Sequence, residues 1–194
     1  MIKKLSRSGY SILLFILILL SAGCVKSSNS AERLRAGFDV DDTLLYSSPA
    51  FQKGFESSEH PFSPGFWEVV NNSDHGNSVI KKKASQILKD HQAEGFEIFV
   101  ITARHPQGGE GLKEFLNSEL DILIENIFFE TEGKAERMIE LELDMFYGDS
   151  DSDITAAQEA GVIPYRIQRS TTSSYKRNYN PGRYGEKVIE GSAW

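Results

Sequence analysis

The chain has 194 residues, 40% of them hydrophobic and 25% charged. That is the make-up of one globular domain, and it excludes a disordered, fibrous or two-domain protein. Its 28 acidic residues against 21 basic ones give a formal net charge of −7, which argues against a protein that coats nucleic-acid backbone. The single cysteine excludes an internal disulfide, a cysteine-rich zinc site and a CxxC redox pair.

The chain opens with Lys3, Lys4 and Arg7, then the apolar run ILLFILILL over residues 12–20. Nine apolar residues are too few for a bilayer core of about 30 Å but suit the apolar centre of a secretory signal. Ser21, Ala22, Gly23 and Cys24 follow, and this stretch resembles the lipobox of bacterial lipoproteins, with Ser21 where leucine is usual. The resemblance implies removal of residues 1–23, lipidation of Cys24 and a polar tether over 24–33. It also implies an exported protein, periplasmic or at the cell surface, anchored to a membrane through Cys24; several acyl chains hold where one does not. The plain alternative is a cleaved signal that leaves Cys24 an incidental thiol.

The remainder, 34–194, reads as one domain of alternating strands and helices. Residues 34–40 form an apolar run that ends in acids and predict a buried strand. Residues 46–78, rich in Ser, Pro, Gly and aromatics, break the rhythm and read as a cap-like insertion over the sheet edge. Ile80, Ala84, Ile87, Leu88 and His91 recur at helical spacing and predict a helix over 79–94, stopped by Gly95. Lys81, Lys82 and Lys83 read as its solvated face. Strands are predicted over 96–101, 126–129, 144–147 and 164–167, and helices over 110–116, 134–143 and 154–160. After Ser170 the chain is polar and turn-rich. Strands spaced by helices imply βαβ units. The predicted fold class is therefore α/β: a Rossmann-like parallel sheet with helices on both faces.

Such sheets place ligands at the carboxyl ends of their strands. Those ends here carry Asp39, Asp41 and Asp42, then Thr102, Ala103 and Arg104, then Lys134, then Asp149, Asp151 and Asp153. Converging carboxylates repel by about 4 kcal/mol per pair at 4 Å and an effective dielectric of 20. Either their pKa values rise or a cation sits among them, and an all-oxygen set favours Mg²⁺ over Zn²⁺. Thr102 and Lys134 then offer a hydroxyl and a positive charge to a dianion. A carboxylate nucleophile in such a site suits phosphoryl transfer. Asp151 reads as solvated. Of the four histidines, scattered without ligand spacing, only His105 stands next to the site.

FDVDDTLLYSSP over 38–49 and YGDSDSDI over 147–154 resemble the paired signatures of bacterial class B acid phosphatases, in the haloacid dehalogenase (HAD) superfamily. FWEVVNN (66–72), FVITAR (99–104) and SYKRNYNPGRYGEKVI (174–189) follow that family in order, so the likeness spans nearly all the chain after Arg35. It implies the HAD fold and a nonspecific acid phosphatase acting on nucleotides, aryl and sugar phosphates through a phospho-aspartate, with phosphotransfer as a related activity. Asp39 would be the nucleophile, and Asp41 the general acid and later base, protonated in the first step so that activity favours acid. Asp39, Asp149 and the backbone carbonyl of Asp41 would hold one Mg²⁺ per subunit, with Asp153 behind them on a metal-bound water or Lys134. Thr102, the Ala103 N–H and Lys134 would bind phosphate oxygens; Ala103 stands where the family usually has glycine. Phe51, Trp67 and Tyr175 would line the leaving-group pocket. The implied partners are small phosphorylated metabolites and no nucleic-acid polymer, with a homo-oligomer suggested by the family's tetramers. Two alternatives stand beside this reading. One is a class C lipoprotein 5′-nucleotidase, whose first motif usually has Glu in place of Asp42. The other is a non-catalytic surface lipoprotein on the same scaffold.

Overall fold

The structure is a computed structural model, described here for residues 33–194. The expected signal (1–23), Cys24 and all but the last residue of the tether lie outside the described residues. Within 33–194 the chain forms one compact unit. Among the described residues, no helix is long and apolar enough to cross a membrane.

The strands are β1 (Arg35–Phe38), β2 (Leu45–Tyr46), β3 (Val79–Ile80), β4 (Glu97–Thr102), β5 (Ile127–Phe129), β6 (Met145–Gly148), β7 (Ile163–Ile167) and β8 (Lys187–Ile189). The helices are α1 (Ser48–Glu56), α2 (Pro64–Asn77), α3 (Lys82–Ala93), α4 (Gly109–Leu120), α5 (Ala135–Glu140) and α6 (Asp151–Glu159). Six strands make one parallel sheet in the order β5-β4-β1-β6-β7-β8. From central β1 the chain builds outward to β4 and β5 on one side, then crosses to β6, β7 and β8 on the other. This reversal opens a crevice at the carboxyl end of β1, where α/β sheets bind ligands.

Both sheet faces are covered, which explains the unbroken apolar strand sequences. On one face Ala36, Phe38, Val100 and Tyr147 pack with Leu88 of α3 and Leu112 and Leu116 of α4. On the other, Phe99, Ile101 and Phe146 pack with Met138 of α5 and Ala157 of α6.

Three departures from the predicted elements have local causes. Residues 46–78 are two helices, and their aromatics face the strand ends rather than the sheet edge. Two of the three prolines that suggested a loop, Pro49 and Pro64, lie in the first turn of a helix, where the missing N–H costs nothing. Ser63 caps α2 by accepting the Phe66 N–H. The helix predicted from residue 79 starts at Lys82, because Val79 and Ile80 pair antiparallel with Tyr46 and Leu45 and close the base of the cap. The polar tail holds a sixth strand, β8, paired with β7 after a crossover without a helix.

Candidate active site

The sheet order brings three segments together. Asp39 follows β1, Ala103 and Arg104 follow β4, and Asp149 follows β6. Lys134 caps α5 and Asp153 lies in the first turn of α6. Ser150 and Asp153 form a reciprocal capping box, which starts α6 at Asp151, three residues earlier than predicted. Gly148 permits this approach: a Cβ there would lie 2.3 Å from the Asp153 Cβ, so any larger residue would push α6 off the sheet.

These residues face a cavity of about 750 Å³. Asp39, Asp41, Asp149, Asp153 and Lys134 line its floor, and Phe51, Trp67 and Tyr175 line its walls, as does Ala103. Phe55 and Phe62 extend the aromatic wall, with Phe62 edge-on to Phe55. Thr102 does not line the cavity. It is fully buried, because its hydroxyl oxygen turns inward to accept the Arg104 N–H at 3.3 Å. His105 does not line it either; its Nδ1 accepts the Gln107 N–H.

Lys134 Nζ donates to Asp39 Oδ1 at 2.5 Å and Asp153 Oδ1 at 2.6 Å. The second oxygen of Asp153 is taken by Ser150, through its N–H and hydroxyl. Asp39 and Asp149 are almost fully buried. Burial raises the Asp39 carboxyl to about 7 against the pull of Lys134, with Asp153 and Asp41 adding repulsion. Burial also raises Asp149 well above the usual range, against Arg169. Asp39, Asp149 and Asp153 each offer a carboxylate oxygen, all within 4.8 Å of one another. An all-oxygen set of crowded, buried acids fits a hard divalent cation, which would offset the burial that raises Asp39 and Asp149.

Asp41 has a different environment. Arg104 grips it with Nη2 at 2.7 Å and Nε at 3.0 Å, and the Ser47 hydroxyl donates at 2.5 Å. Burial pushes this carboxyl up, but Arg104 and Ser47 outweigh it and hold Asp41 below the usual range. The same buried guanidinium pairs with Asp74 and Asn71 of α2, so Arg104 ties the cap to the catalytic loop.

Several residues given no role or a bland one by the sequence prove structural to the site. Lys81, read as solvated, is buried and donates to the carbonyls of Asp42 at 2.5 Å and Gln168 at 2.7 Å. Asp151, also read as solvated, is buried and receives the N–H and side-chain amide of Asn180. Arg104 was visible as a charge directly after an apolar strand. Asp74 and Arg169 carried no local signal.

The comparisons decide the family. The family model described as HAD superfamily, subfamily IIIB (acid phosphatase), matches residues 18–178. This chain belongs to that subfamily. The class B acid phosphatase of Salmonella typhimurium is 34% identical over 174 residues, covering 83% of this chain and 73% of the relative. That of Citrobacter rodentium is 34% identical over 182 residues, covering 87% and 77%. With class B relatives of this extent, the class C alternative falls away. Among solved structures, a predicted phosphoglycolate phosphatase from Haemophilus somnus 129pt superposes with a TM-score of 0.55 at 15% identity, covering 83% of this chain and 95% of that one. At that identity it speaks for the HAD fold alone. As a member of the acid phosphatase subfamily, the chain is a phosphoric monoester hydrolase.

Proposed function

We propose that this acid phosphatase works through a covalent phospho-aspartate on Asp39, with Mg²⁺ as its metal. The observation that carries the reading is the asymmetry of Asp39. One oxygen is held by Lys134 at 2.5 Å, and among the described residues no donor reaches the other, on a side chain that lines the cavity.

An oxygen of Asp39 attacks phosphorus as the ester oxygen departs, and the Asp41 carboxyl gives that oxygen its proton. Asp41, now a carboxylate, then takes a proton from the water that attacks the acyl phosphate; inorganic phosphate leaves and Asp39 is regenerated. One hard displacement becomes two easier ones, a gain that matters because uncatalysed monoester hydrolysis is among the slowest of reactions. Lys134 and the Ala103 N–H neutralise and orient the phosphoryl oxygens. Arg104 keeps Asp41 ionised at neutral pH, so the protonated form required by the first step grows as pH falls, the direction expected for an acid phosphatase; Asp39, raised to about 7 without metal, would be held ionised by the bound cation. Asp39, Asp149 and the Asp41 carbonyl are the groups that would hold Mg²⁺, which when bound adds positive charge opposite Lys134.

The aromatic wall of Phe51, Trp67 and Tyr175 suits nucleobase and aryl leaving groups, which stack on such rings. The N-terminal sequence supports export and anchoring through Cys24, and on that reading the substrates are small phosphorylated metabolites outside the cytoplasm.

The test of the mechanism is Asp39→Asn. The change is nearly isosteric, so the purified variant keeps its circular dichroism while hydrolysis of p-nitrophenyl phosphate is lost. Retained turnover would sink both the covalent mechanism and the choice of nucleophile; in the non-catalytic alternative neither protein would turn over.

A further inference from the structure

One arginine joins the metal-binding side of the cavity to its leaving-group wall. Arg169 is buried just beyond β7. Its Nε and Nη2 each lie 2.5 Å from Asp149 Oδ2. Its Nη1 donates to the carbonyls of Tyr175 at 3.1 Å and Arg177 at 2.8 Å. The guanidinium also lies 5.3 Å from the Tyr175 ring centroid and 4.9 Å from that of Tyr179, whose hydroxyl accepts the Arg169 N–H.

A second tether runs in parallel. The Ser173 hydroxyl donates to Asp42 Oδ2 at 2.5 Å and accepts the Tyr175 N–H at 3.2 Å. The backbone N–H and carbonyl of Tyr175 are thus tied, through Ser173 and Arg169, to two acids of the catalytic floor. Tyr175 is 49% exposed, so packing alone does not fix it. A wall residue so exposed needs its backbone anchored to offer a preorganised stacking surface.

We infer that Arg169 is a positioning residue that sets specificity for leaving groups with an aromatic ring. It does so by holding Tyr175 against the cavity with the same guanidinium that aligns Asp149. The inference rests on the phosphatase reading above and deepens it: leaving-group recognition and metal-carboxylate alignment are one mechanical unit. Lysine cannot substitute, because an ammonium lacks the planar fork that serves a carboxylate and two carbonyls at once. A leaving group with no ring to stack on Tyr175 gains nothing from the strap.

The experiment uses the full chain, with Arg169→Lys, Tyr175→Ala and their double variant. Substrates are adenosine 5′-monophosphate and glycerol phosphate. Arg169→Lys keeps a positive charge beside Asp149 and loses the fork. The KM for the nucleotide rises by about fivefold, the order of one aromatic stacking contact, while KM for glycerol phosphate stays within about twofold; kcat falls by the same factor on both substrates, because the lost fork also aligned Asp149. Adenosine binding without metal, followed by tryptophan fluorescence in a Trp194→Phe background so that Trp67 alone reports, weakens by the factor seen in nucleotide KM. In nucleotide KM the double variant loses no more than Tyr175→Ala alone, since there both changes remove one contact. Where Arg169→Lys fails to fold, Ser173→Ala cuts the other tether and gives the same selective rise. Equal KM increases on both substrates, unchanged adenosine binding or additive losses in nucleotide KM would each overturn the inference. An unaltered protein that binds adenosine but hydrolyses neither substrate would instead count against the phosphatase reading.

Discussion

Lys134 and Asp39 stand 95 positions apart in the chain, yet the ammonium of one lies 2.5 Å from a carboxylate oxygen of the other. Asp153 takes a second proton of the same ammonium at 2.6 Å. All three side chains are buried, so Lys134 is the local counter-charge for both acids, and it pulls down the Asp39 carboxyl that burial raises. Those acids in turn raise the Lys134 pKa against the opposing effect of its burial.

Removing that counter-charge has a measurable cost. Lys134→Met leaves Asp39 and Asp153 buried without a cation, and loss of one partner of a buried pair destabilises by about 3–5 kcal/mol. Urea denaturation in chelator shows the loss. Millimolar Mg²⁺ recovers part of it, because the ion replaces some of the missing positive charge. A Lys134→Met protein as stable as the unaltered one would contradict the pairing.

The buried acids also fix how the metal-free protein responds to pH. Burial raises Asp39 from 3.8 to about 7, with Lys134 opposing, and raises Asp149 as well. A carboxyl whose folded pKa is raised binds its proton more tightly folded than unfolded. Its contribution is therefore present at low pH and is lost as pH rises through the folded value. Asp41, Asp151 and Glu186 have the opposite sign, but theirs is lost only as pH falls into the ordinary carboxylate range and below; His91, which burial lowers from 6.5, opposes the two acids within the window but is only half-buried. In EDTA, the melting temperature falls between about pH 5 and about pH 7.5. Mg²⁺ stabilises most at the upper end, where the carboxylates are ionised; a metal-free protein that gains stability over this range would count against the acid cluster.

Arg104 is expected to matter as much to the cap as to catalysis. Its guanidinium serves Asp41 on the catalytic loop and Asp74 and Asn71 on α2. Arg104→Ala strands two carboxylates, one of them fully buried, and costs about 3–5 kcal/mol. Arg104→Lys restores charge but cannot span both acids, so its stability falls between the two and protease cutting rises within 48–77. Equal stability of Arg104→Lys and the unaltered protein would show that the fork is not needed.

Much of this was legible in the sequence because the sheet writes its chemistry at strand ends. The strands RAGF, EIFVIT and MFYG give way to DVDD, AR and DSDSD, and burial on both faces is what keeps their inner stretches apolar. The cap helices were hidden because Ser and Pro signal both loops and helix starts; only the cavity-facing rings of Phe51, Phe55 and Trp67 reveal what the helices are for. Strand β8 was hidden because Lys187, Val188 and Ile189 are too few to show a period. Arg104, Asp74, Lys81 and Arg169 act through partners 20 to 87 positions away, and no local pattern encodes such distances. Thr102 was readable as a strand-end hydroxyl but not as one turned toward Arg104 N.

The most direct measurement is chemical capture of the intermediate. The enzyme is mixed with p-nitrophenyl phosphate, quenched in acid during turnover and reduced with borohydride, which converts an aspartyl phosphate to homoserine. Mass spectrometry of the peptide spanning 35–53 then locates the modified position. The account predicts homoserine at position 39, with Asp41 unchanged, and no modification when substrate is omitted. Steady hydrolysis with no modified residue, or modification at position 41 in place of 39, would contradict it.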